Sequence, residues 1–162
     1  MQKVISNSSV LIHLAKINEL SLLKEYYQTI TIPAKVRKEC IFEGEYRKEA
    51  AIIKGADWIN VEDVKDQNLA KLLRATLDDG EAEAIALAVE TGADLILLDD
   101  SDGREKARLY GLRITGIVGI LLRAKLDGRI VSLKEKLIML KETGFWIGAE
   151  LEAVLLGEAN ES

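Results

Sequence analysis

The chain has 162 residues and a mass of 17.9 kDa, a length suited to one domain with room for a terminal appendage. One cysteine, one histidine and one proline exclude a disulfide scaffold, a Cys-rich zinc site, a histidine triad and a proline-rich linker. The net charge of −5, from 22 Lys and Arg against 27 Asp and Glu, excludes a generally basic nucleic-acid binder, and no apolar run approaches the ~20 residues that span a bilayer.

The elements follow from hydrophobic spacing, taken in chain order. Lys3–Ser6 reads as a short strand. Val10, Leu11, Leu14 and Ile17 have helical spacing, so a helix is expected over Ser8–Ile17, with Asn7, Ser8 or Ser9 as its cap. Asn18–Tyr27 reads as a second helix and the β-branched Gln28–Ile32 as a strand. Pro33 opens a helix through Phe42. Glu45–Lys54 is expected to be helical, Asp57–Val61 a strand, and Gln67–Ala75 a helix. Asp79-Gly80 breaks the chain before an alanine-rich helix, Glu81–Glu90. The apolar run Ala93–Leu98 ends in Asp99-Asp100 and reads as a buried parallel strand. Arg104–Tyr110 is a helix capped by Gly111, and Leu112–Thr115 a further strand. Helices over Ile117–Leu126, Leu133–Glu142 and Ala149–Leu156 close the chain.

Strands separated by helices imply an α/β fold, with a mostly parallel sheet and helices on both faces. The expected organisation is a domain over 1–128 and a helical extension over 129–162 packed on the same domain. In such sheets the ligand site lies beyond the carboxyl ends of the strands. That places Asn7 and Ser9 after the first strand, and Asp99, Asp100 and Asp102 after the apolar one.

Charge is unevenly distributed. Residues 78–102 hold nine acids and no base, and residues 104–141 hold ten bases against three acids. An acidic block followed at once by a basic one fits a cation pocket beside a polyanion surface, although solvated helix faces would give the same counts. Asn7, Glu39, Glu81 and Asp99-Asp100 are the places where oxygen ligands could converge. Carboxylates packed together raise one another's pKa unless a cation is present. The natural cation for an all-oxygen set is Mg²⁺ or Mn²⁺, which points to a phosphorylated substrate. Taken singly, each acid has an ordinary alternative: Glu81 suits a helix start, Glu83 a solvated face, and Asp99, Asp100 and Asp102 helix capping. There is no phosphate-binding GxxxxGK[ST] loop and no GxGxxG. His13, Cys40, Trp58, Phe145 and Trp146 read as packing residues.

Four segments resemble the PIN-domain family. Val4 through Ile12 is similar to its opening strand followed by Asp-Thr/Ser-Ser-x-Leu. Ile32 through Glu39 matches the segment that places its second acid, so the resemblance assigns that role to Glu39. Gly80 through Ala88 resembles the helix of the third acid, with Glu81 in register, and Leu97 through Asp100 the strand end of the fourth, with Asp100 first and Asp99 second. Arg104, Ala107, Gly111, Leu112, Thr115, Gly116 and Gly119 resemble a prokaryotic, archaeal and bacterial branch.

The resemblance implies a three-layer α/β/α fold and a Mg²⁺- or Mn²⁺-dependent ribonuclease, VapC-like, with water attacking the phosphodiester. Glu39, Glu81 and Asp100 would hold the metal, and Asn7 and Asp99 would complete the catalytic set. Ser9, Glu83 and Asp102 would support it, and Arg104, Arg108 and Arg113 would hold the RNA backbone. It further implies a homodimer and an antitoxin as partner in a toxin–antitoxin pair. Asn7 departs from the pattern, because the family's first acid is Asp. The alternative is therefore a catalytically weak module that binds RNA or protein. Composition adds the expectation of a cytoplasmic protein without a membrane segment, from a thermophile, since Asn and Gln are scarce beside Glu and Lys.

Overall fold

The computed structural model describes residues 2–43 and 47–162. The chain alternates short strands with helices. Strand β1 (Val4–Ser6) leads to α1 (Ser8–Lys16) and α2 (Ser21–Tyr27). Strand β2 (Ile30–Ile32) leads to α3 (Ala34–Arg37), a π-helical turn (Lys38–Phe42) and α4 (Lys48–Lys54). Strand β3 (Ile59–Val61) precedes α5 (Gln67–Leu73) and α6 (Asp79–Thr91). Strand β4 (Leu95–Leu97), α7 (Ser101–Leu109) and β5 (Ile114–Thr115) complete the sheet. Helices α8 (Ile117–Leu126), α9 (Leu133–Glu142) and α10 (Ala149–Glu158) end the chain.

All five strands are parallel, in the order β3-β2-β1-β4-β5, and helices flank the sheet in a three-layer α/β/α arrangement. The order reverses between β1 and β4, where Val4, Ile5 and Ser6 pair with Leu95, Ile96 and Leu97. The Asn7 backbone N–H extends that ladder to the Leu97 carbonyl at 3.1 Å. Both central strands are buried on both faces, hence their unbroken apolar runs. One buried cluster joins them to α1, α6 and α8, and to Leu133, Leu137, Leu140 and Leu155 of the last two helices.

Helix α6 decides how closely the layers pack. Ala82, Ala84, Ala86 and Ala88 are fully buried, and their small side chains let the helix lie against β1 and β4. Its start differs from the sequence expectation. Asp78 is the cap, accepting from the Glu81 N–H at 2.8 Å, so Asp79 and Gly80 lie in the first turn and break nothing. Helix α7 likewise starts three residues early at Ser101, because the Asp100 carboxylate accepts from the Gly103 N–H at 2.9 Å. Asn18 and Gln28 adopt positive φ values, so α2 starts at Ser21 and β2 at Ile30. The helix expected over 33–42 tightens into α3 and then widens into the π-helical turn that carries Glu39. The expected helix start at Glu45 lies outside the described residues; α4 is helical from Lys48. Among the described residues, no helix is long and apolar enough to cross a membrane.

Candidate active site at the carboxyl edge of the sheet

At the strand-order reversal, the residues after β1 and β4 face one cleft of about 480 Å³. Asn7, Ser8, Ser9, Asp78, Glu81, Asp99, Asp100 and Ser101 line it, together with Phe145 and Trp146. Asn7 is almost fully buried, and its Oδ1 accepts from the Val10 N–H at 3.1 Å, capping α1. The same amide that starts the helix therefore forms part of the cleft wall.

Glu81, one turn into α6, meets Asp78 and Asp100. Burial pushes its carboxyl up to about 8; the Asp78 and Asp100 charges, and hydrogen bonds with both, push in the same direction. Among the described residues, no cation opposes this rise. Half-buried Glu81 thus stands against two exposed acids, and it keeps its proton below about pH 8.

Asp99 has a different environment. Its two oxygens accept from the Ile117 N–H at 3.2 and 3.3 Å, at the start of α8. Burial raises it to about 6, against the pull of that N–H and of Arg104. Gly116 makes room for the carboxylate, since a Cβ there would stand 2.3 Å from Asp99 Oδ1. Between the two candidates after β4, Asp100 faces Glu81 and Asp99 faces α8.

Glu39 lies beside this cleft. It lines an adjacent hollow of about 360 Å³ with Cys40 and Glu43, and Ser8 borders both spaces. Ser8 Oγ donates to Glu39 Oε1 at 3.4 Å, and burial followed by the Asp78 charge raises the Glu39 carboxyl. Gly80 opens the path between them: a Cβ there would fall 1.8 Å from Glu39 Oε1. Asp78 is the link between Glu39 and Glu81, and the sequence reading passed over it. The available signal was Asp78-x-x-Glu81, a helix-capping spacing.

The remaining expected residues divide. Ser9 lines the cleft. Glu83 points elsewhere, to the Arg74 guanidinium at 3.2 Å and the Lys35 N–H at 3.3 Å. Asp102 is an exposed first-turn residue of α7. Arg104 lies beside Asp99, with its Nε buried and without a hydrogen-bond partner among the described residues. Arg108 is exposed in the last turn of α7, and Arg113 is exposed before β5, at the amino edge of the sheet. The fold does not bring Arg108 and Arg113 to the cleft.

His13 and Cys40 are packed as expected. His13 meets Thr143 at 2.8 Å, and burial, with Lys16 nearby, lowers its pKa. Burial, with the Glu39 charge, pushes the Cys40 thiol up to about 12. Trp58 packs against the core, but Trp146 does not: it is 85% exposed. Periodicity could not reveal this, because Trp146 sits in a connection between helices.

The donor chemistry suits a hard divalent cation: carboxylate oxygens, one buried amide, and excess negative charge. Among the described residues, no three His, Cys, Asp or Glu side chains form a ready-made ligand group, so holding an ion requires the carboxylates to turn towards one another. A family model described as a PIN domain matches residues 3–161, nearly the whole chain. No curated protein matches it.

Proposed function

Because the chain belongs to the PIN-domain family, we propose that it is a divalent-metal-dependent ribonuclease working at the cleft between β1 and β4. The observation that carries the reading is Glu81, a carboxyl raised to about 8 by burial and by two neighbouring carboxylates, with no cation among the described residues opposing them. Such a site gains most from an ion that takes the place of the proton.

Glu81 and Asp100 would hold Mg²⁺ or Mn²⁺, with Asp78 beside them and Glu39 joining across Gly80. The bound ion supplies Lewis acidity that acidifies water and neutralises phosphate oxygens. The protein's own contribution is positioning. Asp78 and Asp100 are fixed by capping α6 and α7, so both acids stand on rigid helix starts. Asn7 orients its amide from the α1 cap, and Asp99 ties the α8 start to β4. Arg104 offers a cation at the cleft edge for the RNA backbone. The proposal includes a homodimer and a restraining antitoxin, as the family resemblance implies; light scattering on the purified chain tests the first.

Asn7 favours the second reading, a module that binds without cutting. It supplies no charge, and its Oδ1 is already committed to Val10. Cleavage of varied RNAs with Mn²⁺ by wild type, Asn7→Asp and Asp100→Asn separates the two. The nuclease reading expects wild type to cut and Asp100→Asn to lose at least about 100-fold, more than loss of an outer-sphere partner costs. Cutting by Asn7→Asp alone supports the binding module. No cutting by any of the three, with no Mn²⁺ bound, overturns the nuclease.

A further inference from the structure

We propose that Trp146 is a stacking platform that holds one nucleobase of the RNA at this cleft. This deepens the nuclease reading and rests on it.

Trp146 is the largest side chain that the fold leaves in water, at 85% exposure. Its exposure is built rather than loose. Thr143 ends α9, and its hydroxyl donates to the Leu140 carbonyl at 2.6 Å and meets His13 Nδ1 at 2.8 Å. Gly144 then turns the chain with φ +94°, a conformation open to glycine. Phe145 sets its ring edge-on to His13, with centroids 5.4 Å apart. Ile147 is buried on the other side. Anchored neighbours on both sides thus force Trp146 outwards. The ring lies close over Gly148, where a Cβ would stand 3.3 Å from its Cη2.

The cleft it lines identifies the occupant. Trp146 and Phe145 line the same cleft as Asn7, Glu81 and Asp100. The cleft volume of about 480 Å³ is in the range of small-ligand sites and accommodates one nucleotide. Its carboxylates suit a phosphate once a cation is present, and its indole suits an uncharged flat face. A nucleotide offers both, joined by its ribose. Stacking on an aromatic ring tolerates any base, since every base has a π-face. In a duplex those faces are covered by neighbouring pairs, so an unpaired strand is the form that can use the ring.

The test is titration of the full chain with a single-stranded RNA 10-mer in EDTA, read by tryptophan fluorescence and by anisotropy of a 3′-label. Cleavage of the same strand is then measured with Mn²⁺. Trp146 emission is expected to be quenched, with the quench absent in Trp146→Phe. Trp146→Ala is expected to bind roughly 5- to 100-fold more weakly, the range of one base–aromatic stack, while Trp146→Phe largely retains affinity. The same strand annealed to its complement, or an abasic ribose-phosphate chain, is expected to leave the emission unchanged. Thermal unfolding checks that each variant is folded, which the exposure of the ring favours.

Two results overturn the platform alone: Trp146→Ala that binds and cuts like wild type while Asp100→Asn does not cut, or an abasic chain that quenches as strongly as the intact strand. A wild type that neither binds nor cuts RNA overturns both the platform and the nuclease reading beneath it.

Discussion

Glu81 makes the metal-free protein sensitive to pH in an unusual direction. Its carboxyl rises from 4.5 in the unfolded chain to about 8 in the fold, so the native state holds the extra proton between those values. The stability this contributes is fully present below pH 4.5 and is lost as pH rises through about 8. Asp99, raised from 3.8 to about 6, adds to the same slope at its lower end. Melting of the metal-free chain is therefore expected to fall from pH 5 to pH 8, and Glu81→Gln to flatten most of that fall. Mn²⁺ should raise the melting temperature more at pH 8 than at pH 5, because less proton has to be displaced. Asn7→Asp keeps the α1 cap and adds a buried charge to the cleft that the acids line. The expected result is lower metal-free stability with Mn²⁺ bound roughly tenfold more tightly, or better, in calorimetry.

At the scale of elements, helix starts double as the site. Asp78 both caps α6 and repels Glu81, and two substitutions separate these roles. Asp78→Asn retains the cap while lowering the Glu81 pKa, which NMR titration of the carboxyl detects. Asp78→Ala does this and also costs about 1 kcal/mol in denaturant unfolding. Gly80→Ala addresses the approach of the π-helical turn. Its methyl would fall on Glu39 Oε1, and the flexible carboxylate must swing away. Stability is expected to change little and Mn²⁺ affinity to drop, provided Glu39 shares the ion. Unchanged affinity would place Glu39 outside the metal set, in keeping with the separate hollow it lines.

Across the whole molecule, the C-terminal helices share the buried core, and one carboxylate further ties them to each other and to α8. Glu161 accepts from Ser132 Oγ at 2.8 Å and from the Leu133 and Lys134 N–H groups at 2.6 and 3.2 Å, and pairs with Lys125 at 3.6 Å. It thereby closes the start of α9 from the far end of α10. Lys141 and Glu152 form a second tie between the same helices. Between them runs the Phe145-Trp146 segment, so the cleft's aromatic wall depends on this closure. Glu161→Ala is expected to lower the melting temperature by roughly 2–4 °C, the scale of about 1 kcal/mol in a chain of this size. Since Glu161 lies far from the acids in sequence and touches none of them, Mn²⁺ binding by Glu161→Ala should match wild type.

Much of this was legible in the chain itself. Unbroken apolar runs at Val4–Ile5 and Leu95–Leu98 announce strands buried on both faces, and helical spacing around them dictates a parallel α/β sheet. The acids at strand ends and helix starts followed from that topology, and the bounds of α8 and α9 matched the periodic reading throughout. These features are local, set by residues within a few positions of one another. Contacts between distant segments lay beyond such reading. Asp78 gains its meaning from Glu39, on the distant π-helical turn, as well as from Glu81, and Asp99 is separated from Asp100 only by the arrival of Ile117 from the next helix. Glu83 is drawn off by Arg74 and Lys35, although the family resemblance gave it a supporting role. Trp146 reads as core by hydrophobicity alone and stands in water because Phe145 and Ile147 take the buried places. The sequence by itself determined which elements form and which residues end them, because propensity and capping act over a few bonds. Only the tertiary structure decided which carboxylates share a space and which aromatic faces it, because burial and charge add up through space and not along the chain.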